Sequence, residues 1–547
     1  MIKKFSLPIQ IIFLSASVAY WQINFRFIEE ADTRFVMNLG RYVLEYGFPH
    51  IDPFTIHENL QLVAQQWLSG VVFWEAYKYL GVEGLLIVDV IVSAATLLIY
   101  WRLCLFVSDG NKNLSFVISF VVGLLMSSMI VPRPHILSAL FLLIEVFLLE
   151  KFTRTANEKF LIPLPLLSVA LINLHAAVWL MSLVLCLPFL FVKDIRHIKF
   201  LIAAMIGICF CGLINPYGFD AMTYVFRSYG IDAINSGVRE MFTPTAHNIQ
   251  GKIFYAVEAF LIFSLTKFKT PWRYIFLSGG LTFMAIMHAR NLILFYFIAT
   301  FPLACVWREF RPDKFFSPSE DEQYKNRGLL MLGFFLVTFV NTIIITTLLN
   351  DKLDKLSTPL EVLLFAMIIF VLYNLLVLKF KGRILHPAIL PRKILSLFVT
   401  ALVVCGIMIT TLEDKGRGID ETYTNAIKFV LRTTRPEDIS LYVPQGIGGL
   451  AGSFGIKYYI DSRSEVFLPA NNGQKNIFEE YGDFINGKIN YKDFFNRYDF
   501  THIIITNKSP FIFDQLSADK DFRVIYESEH VVGYRLIRCK VFVPKKD

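Results

Sequence analysis

The chain reads as an α-helical polytopic membrane protein with a small C-terminal extracytoplasmic α/β domain. Three observations predict this. The 547 residues are 55% hydrophobic with 53 Phe and a mean hydropathy of +0.52, beyond what a soluble core requires. Apolar runs of helix-spanning length recur between charged gaps. After about residue 412 the character changes, and polar helical stretches alternate with short β-type runs.

The apolar runs place spans near 5–28, 82–101, 115–131, 136–150, 161–173, 176–192, 200–214, 252–266, 274–287, 291–307, 328–349, 360–378 and 394–412, about thirteen transmembrane helices. Several fall short of the ~20 residues that cross hydrocarbon comfortably, so they extend into the interface. Charge orients the set. With Lys3 and Lys4 inside, the even-numbered spans end in loops carrying Arg102/Lys112, Lys151/Arg154/Lys159, Lys193/Arg196/Lys199, Lys267/Lys269/Arg273, Arg308/Arg311/Lys314 and Lys379/Lys381/Arg383. Short cytoplasmic loops carry this excess, and one missed span would invert everything after it. The net charge of +8 therefore reports orientation, and no nucleic-acid partner is implied. The first span continues through Tyr20, Trp21, Ile23 and Phe25, which suits an uncleaved anchor rather than a signal peptide. The cysteines show neither a disulfide framework nor metal-ligand spacing.

This topology puts residues 1–412 in a membrane domain and residues 413–547 in an extracytoplasmic α/β domain. Two long outer loops interrupt the first, at 29–80 and 215–251. In the second, helices are expected at Glu421–Arg432 and Gln474–Ile485, with β-type runs at Ile439–Val443, Lys457–Ile460, His502–Thr506 and Val531–Leu536. Gly446-Ile-Gly-Gly449 with Gly452 lacks the Gly-Lys-Ser/Thr of a phosphate loop and reads as a strand-to-helix turn.

Ionisable groups at the membrane rim are costly and mark function. Glu29, Glu30 and Asp32 stand directly beyond span one, an arrangement suited to a general base or a cation site. Arg133-Pro-His135, Asn173-Leu-His175, Asn215-Pro-Tyr217-Gly218 and His288-Ala-Arg290-Asn291 separate successive spans. Singly, each is a capped turn. Together Arg133, His135, His175, His288 and Arg290, joined by Arg239 and His247 of the second long loop, put cations on the outer rim against the positive-inside bias. That favours an anion, and Arg suits a phosphate. Acids facing cations at headgroup level fit a lipid-linked phosphosugar.

Glu30-Ala-Asp32, Gly40-Arg-Tyr-Val-Leu-Glu-Tyr-Gly47-Phe-Pro49, Asp52-Pro-Phe54-Thr55 and Gln66-Trp67-Leu68 resemble the first outer loop of bacterial multi-spanning glycosyltransferases of the GT-C type. The four later landmarks follow in the same order, and Asp461-Ser-Arg463 with Glu465 resembles a short Asp-Gly-Arg element of that group's outer domain. The resemblance implies a GT-C-like fold in the bacterial cytoplasmic membrane, with an outward-facing active site and a polyprenyl-phosphate-linked sugar as donor. It also implies an acid of the first outer loop as base: Asp32, with Glu30 second. Arg34-Phe-Val36 departs from the aromatic and His residues expected after that acid, and Ser462 stands where Gly is usual.

On this reading Asp32 activates a hydroxyl of a glycan, lipid or protein acceptor for inverting attack. Glu30 assists, or joins Glu29 and Asp32 as ligands of a divalent cation, Mg or Mn. Arg133, His135, His175, Arg239, His288 and Arg290, with Asn215 and Tyr217, are candidates for the lipid-phosphate site, and Asp461 and Arg463 mark the outer domain. A transporter or flippase for an anionic glycan would use the same cations along a path. A scaffold binding envelope polymers would rest on Asp461 and Arg463.

Overall fold

The computed structural model describes residues 2–24, 31–308 and 417–545, apart from 128, 130, 193, 229–238, 246–248, 269, 474, 533 and 534. Packing divides the chain into two units, 1–308 with 415–547, and 309–414. The expected spans at 328–349, 360–378 and 394–412 lie outside the described residues.

In the membrane part the helices are α1 Ile2–Asn24, α2 Ala31–Tyr46, α3 Trp67–Leu80, α4 Val82–Val107, α5 Lys112–Met126, α6 Pro134–Thr155, α7 Pro163–Leu174, α8 Ala176–Cys186, α9 Ile195–Gly212, α10 Ile249–Lys267 and α11 Trp272–Met287, followed by an irregular helical run Ala289–Val306. Apart from α2 and α3, which belong to the first long loop, these helices overlap the runs read as the ten spans before residue 308. Local chemistry explains the ends. Pro134 opens α6 at a position where its missing N–H costs nothing. The side chains of Asn111 and Asp194 accept from Leu114 N and Arg196 N at the starts of α5 and α9. Among the described residues, Val82–Val107, Ile195–Gly212 and Ala289–Val306 are each long and apolar enough alone to cross a membrane. Ile87, Ile91, Val117, Val121, Ile202, Ile206 and Phe210 are exposed apolar side chains on these helices.

The first long loop contains two helices, α2 and α3, which touch backbone to backbone: a Cβ on Gly40 would lie 2.0 Å from the Gly70 carbonyl carbon. Helix α3 buries Ser69, Gly70 and Phe73. Its Trp67 Nε1 donates to Asn173 Oδ1 at 2.9 Å and its Ser69 Oγ to the Leu174 carbonyl at 2.7 Å. Helix α3 is thus packed against the end of α7.

The C-terminal domain begins with α12 Arg417–Thr433 and forms a five-stranded sheet in the order β2-β1-β3-β5-β4. Strand β1 Ser440–Tyr442 pairs in parallel with β2 Lys457–Tyr458 and with β3 His502–Thr506. Strands β4 Phe522–Val532 and β5 Arg535–Pro544 form an antiparallel pair, with β5 against β3. The sequence reading of one run at Val531–Leu536 needs correction. That stretch is the junction of two long strands, whose apolar residues are diluted by Arg, Glu and Lys facing solvent. The sheet's core is aromatic, built on Tyr442, Tyr459, Phe484, Phe494, Phe495 and Phe500, and Leu60 of the first long loop enters it. Thr55 also bridges to Tyr458 at the β2 edge.

The glycine-rich stretch forms a strand-to-helix turn as expected: β1 leads through Gln445–Ile447 into the short helix Gly448–Ser453. Its glycines serve close approach. A Cβ on Gly449 would meet the Ala31 carbonyl oxygen and the Phe35 nitrogen at 3.1 Å. Asn38 Nδ2 donates to the Gly449 carbonyl at 2.7 Å, and Arg41 donates to the carbonyls of Gly452 and Ser453 at 3.0 and 3.2 Å. These contacts seat the C-terminal domain on α2.

Candidate functional site

One cavity of about 470 Å³ is lined by the start of α2, residues 62–66, the turn before α6, the α7–α8 junction at His175 and Ala177, residues of the second long loop with Ala289–Ile293, and residues 462–466 of the C-terminal domain. Asp32 lies in the first turn of α2, held there partly by Thr33, whose Oγ1 donates to the Pro132 carbonyl at 2.9 Å. That bond sets α2 beside the Arg133 turn. Arg133 NH2 then lies 3.2 Å from Asp32 Oδ2, and its NH1 lies 2.7 Å from Glu240 Oε1. One guanidinium thus spans two carboxylates with its planar fork. Burial works against ionisation of Glu240, but the charge and hydrogen bond of Arg133, with the charges of Arg290 and His135, hold its carboxyl below the usual value.

The histidines of the expected phosphate site are held from behind. His135 Nε2 donates to the Met129 carbonyl at 3.3 Å, and His175, 4% exposed, shares a 2.9 Å hydrogen bond between Nδ1 and Ser138 Oγ. Both line the cavity, as does Arg290. His288 does not line it. Its Nδ1 donates to the Met241 carbonyl at 2.6 Å, and Ala289 N donates to the Phe242 carbonyl at 3.0 Å. These bonds fix Met241 and Phe242 against the turn that carries Arg290. Arg239 opens the turn Arg239–Met241, of which Glu240 and Met241 reach the cavity.

Asn215 and Tyr217 stand elsewhere. Asn215 closes its own turn, donating to the carbonyls of Gly212 and Gly218 and accepting from Tyr217 N. Tyr217 donates to the Pro49 carbonyl at 2.9 Å. Asp461 and Arg463 are buried. Arg463 bonds both oxygens of Asp461 and also Asp52 Oδ1, at 2.5 Å, while its guanidinium lies 4.1 Å from the Phe35 ring centroid. This ion triad joins the C-terminal domain to the first long loop and carries residues 462–466 into the cavity wall. Glu29, Glu30 and His247 lie outside the described residues. Among the described residues no group of three or more His, Cys, Asp and Glu side chains is placed to hold a metal ion.

Sequence reasoning missed four lining residues as site members: Gln65, Tyr224, Glu240 and Glu465. Tyr224 donates to Glu465 Oε1 at 3.1 Å and Gln65 reaches the same oxygen at 3.4 Å. The Glu465 carboxyl is pushed up by burial, against the Tyr224 hydrogen bond and the charges of Arg290 and Arg463. Glu240 and Glu465 each adjoin or closely follow an arginine, so locally they read as solvated pairs.

No protein-family model matches the chain, and no curated protein sequence matches it with significance. Solved structures are similar across its whole length. One is ArnT from Cupriavidus metallidurans bound to undecaprenyl phosphate, with a TM-score of 0.54, 10% identity and 98% of each chain covered. Another is the apo state of ArnT, with a TM-score of 0.52, 12% identity and 97% of each chain covered. At this identity the likeness is one of architecture, and the helical bundle, first-loop helices and terminal sheet together establish that the chain has the GT-C fold.

Proposed function

We propose that the protein is a membrane glycosyltransferase that moves a hexose or pentose from a polyprenyl-phosphate-linked donor to an acceptor at the outer face of the bacterial cytoplasmic membrane. One observation carries the reading: Asp32 and the cationic or imidazole groups of Arg133, His135, His175 and Arg290 line a single cavity in a GT-C fold. The undecaprenyl phosphate bound by ArnT supports a polyprenyl phosphate as the ligand class.

In this mechanism Asp32 takes the proton of an acceptor hydroxyl, and the oxygen attacks the anomeric carbon from the face opposite the phosphate. The bond from that carbon to the phosphate oxygen breaks, its electron pair leaves on the lipid phosphate, and the sugar inverts. Arg133 and Arg290 stabilise the charge that appears on the departing phosphate, as preorganised donors do. The divalent cation remains a proposal: Asp32 would supply one carboxylate, with Glu29 and Glu30, and no step above depends on it.

The test is turnover in nanodiscs against a panel of polyprenyl-phosphate sugars. Asp32→Asn is expected to lower release of free lipid phosphate by about 10²–10⁴-fold while the protein stays folded. Undiminished release in that variant would remove Asp32 from the role of base.

A further inference from the structure

A polar groove of about 280 Å³ adjoins the main cavity, and Leu62, Val63, Tyr224 and Val466 line both. The rest of its lining is His50, Gln61, Pro216, Tyr217, Asp220 and Asn471. Its chemistry differs from that of the cavity it joins. Where Arg133 and Arg290 line the cavity, no Lys or Arg among the described residues lines the groove, whose polar side chains are those of His50, Gln61, Asp220 and Asn471; the Asn471 amide also donates to the Glu465 carbonyl at 2.8 Å. A phosphate would find neither Lys nor Arg in this lining. A hydroxyl-rich ring suits such a lining, because amides and carboxylates pair with hydroxyls and aromatic faces cover C–H surfaces.

The aromatic wall is fixed in place. Tyr217 is buried, its hydroxyl is bound to the Pro49 carbonyl, and the His50 ring packs edge-on against it with centroids 5.1 Å apart. His50, Gln61 and Asp220 are exposed, so the groove opens to solvent as well as to the cavity. Where the two meet, Tyr224 donates to Glu465.

We infer that this groove is the subsite for the acceptor's sugar ring, seated between solvent and the catalytic cavity so that one of its hydroxyls passes Tyr224 toward Asp32. The inference rests on the transferase reading and adds to it the class of acceptor, a glycan. The position of the groove also gives Asn215-Pro-Tyr217-Gly218 a role: the turn positions a sugar-facing tyrosine, away from the lipid phosphate.

The experiment uses the full chain in nanodiscs with Gln61→Trp, which fills the groove, and with His50→Ala plus Gln61→Ala, which strips its polar lining. Neither Gln61 nor His50 takes part in the phosphate site. Saturation-transfer NMR with a panel of methyl hexosides and pentosides reads the groove directly, and binding of polyprenyl phosphate alone reads the cationic cavity. The expected result is sugar saturation in the wild type that disappears in Gln61→Trp and weakens about tenfold or more in the double variant, with lipid-phosphate binding unchanged. Wherever an acceptor glycan supports turnover, its KM rises while that for the donor holds. Sugar binding that persists in Gln61→Trp, no sugar binding in the wild type, or a rise in donor KM alone would overturn the assignment. Failure of the wild type to bind polyprenyl phosphate would count against the transferase reading and leave the sugar result to stand by itself.

Discussion

Arg463 NH1 and Asp52 Oδ1, 411 positions apart in sequence, meet at 2.5 Å with almost no solvent access to either side chain. Asp461, 2.7 Å from the same guanidinium, completes the triad. Tyr458 donates to Asp461 at 2.6 Å, and Thr55 donates to Asp52 through both its backbone N–H and its hydroxyl. Burying two carboxylates is tolerable here because nearly every lone pair is met. Arg463→Met should therefore destabilise the protein by about 3–5 kcal/mol, since it leaves two buried anions sharing no cation. Arg463→Lys should fall between, keeping the charge but losing the planar fork. Thermal unfolding in detergent checks the order, and equal midpoints for all three proteins would deny the triad a structural role.

A second prediction concerns the α2–α3 contact. The Cβ added in Gly40→Ala would lie 2.0 to 2.4 Å from the backbone of Gly70 and Val71, and backbone cannot rotate aside. The helices must part, which shifts Asp32 at one end of α2 relative to Arg133. The cost is expected in the range of about 1–3 kcal/mol for overpacking, with a loss of turnover larger than the loss of folded protein. Gly279→Ala is the control, because nothing lies within 4 Å of its added Cβ and it should behave as wild type.

How far the sequence discloses this arrangement depends on the range of each interaction. The helices before residue 308 were legible because hydrophobic length and loop charge are local; those described overlap the runs read for them, though α4 runs on to Val107 and α8 stops at Cys186. Asp32, Arg133, His135, His175 and Arg290 line one cavity, and the sequence groups them because alternate loops of a helical bundle are expected on the same side. That His288 turns to the loop behind the cavity, where it bonds the Met241 carbonyl, is a long-range contact that no local pattern encodes. Asp461 and Arg463 announced charge without showing that Asp52 would bury it. The glycines at 446–452 were read correctly as a turn, yet their partner, the face of α2 carrying Asn38 and Arg41, is some 400 residues away.

Glu465 supplies a prediction about pH. Burial raises its carboxyl above the ordinary value of 4.5 in the folded protein, so folding favours the protonated form. The sign follows by linkage: this group's contribution is most favourable below pH 4.5 and is lost as pH rises through the folded value. Glu465→Gln keeps a neutral group able to accept from Tyr224 and has no proton to lose. The variant should match the wild type near pH 4 and become relatively more stable as pH rises toward 7. A stability difference that does not vary with pH would mean that Glu465 is solvated in the folded protein.

The two ion pairs of Arg133 make opposite predictions for its neighbours. Arg133 is 19% exposed and is engaged by Asp32 on one side and Glu240 on the other, the latter half-exposed. A lipid phosphate entering the cavity must compete with both acids for the guanidinium. Removing the competitor that has no catalytic task should tighten the phosphate, so Glu240→Gln is expected to raise polyprenyl-phosphate affinity several-fold. Removing the cation should weaken it by about tenfold or more, as loss of a charge-assisted hydrogen bond of roughly 1.5–3 kcal/mol implies. Both effects should shrink with added salt, because each is electrostatic and partly open to solvent. Titration of polyprenyl phosphate into nanodisc-embedded protein at low and high salt separates the cases. Weaker binding in Glu240→Gln would mean that the acid holds Arg133 in its binding position, and the carboxylate would then count as part of the phosphate site.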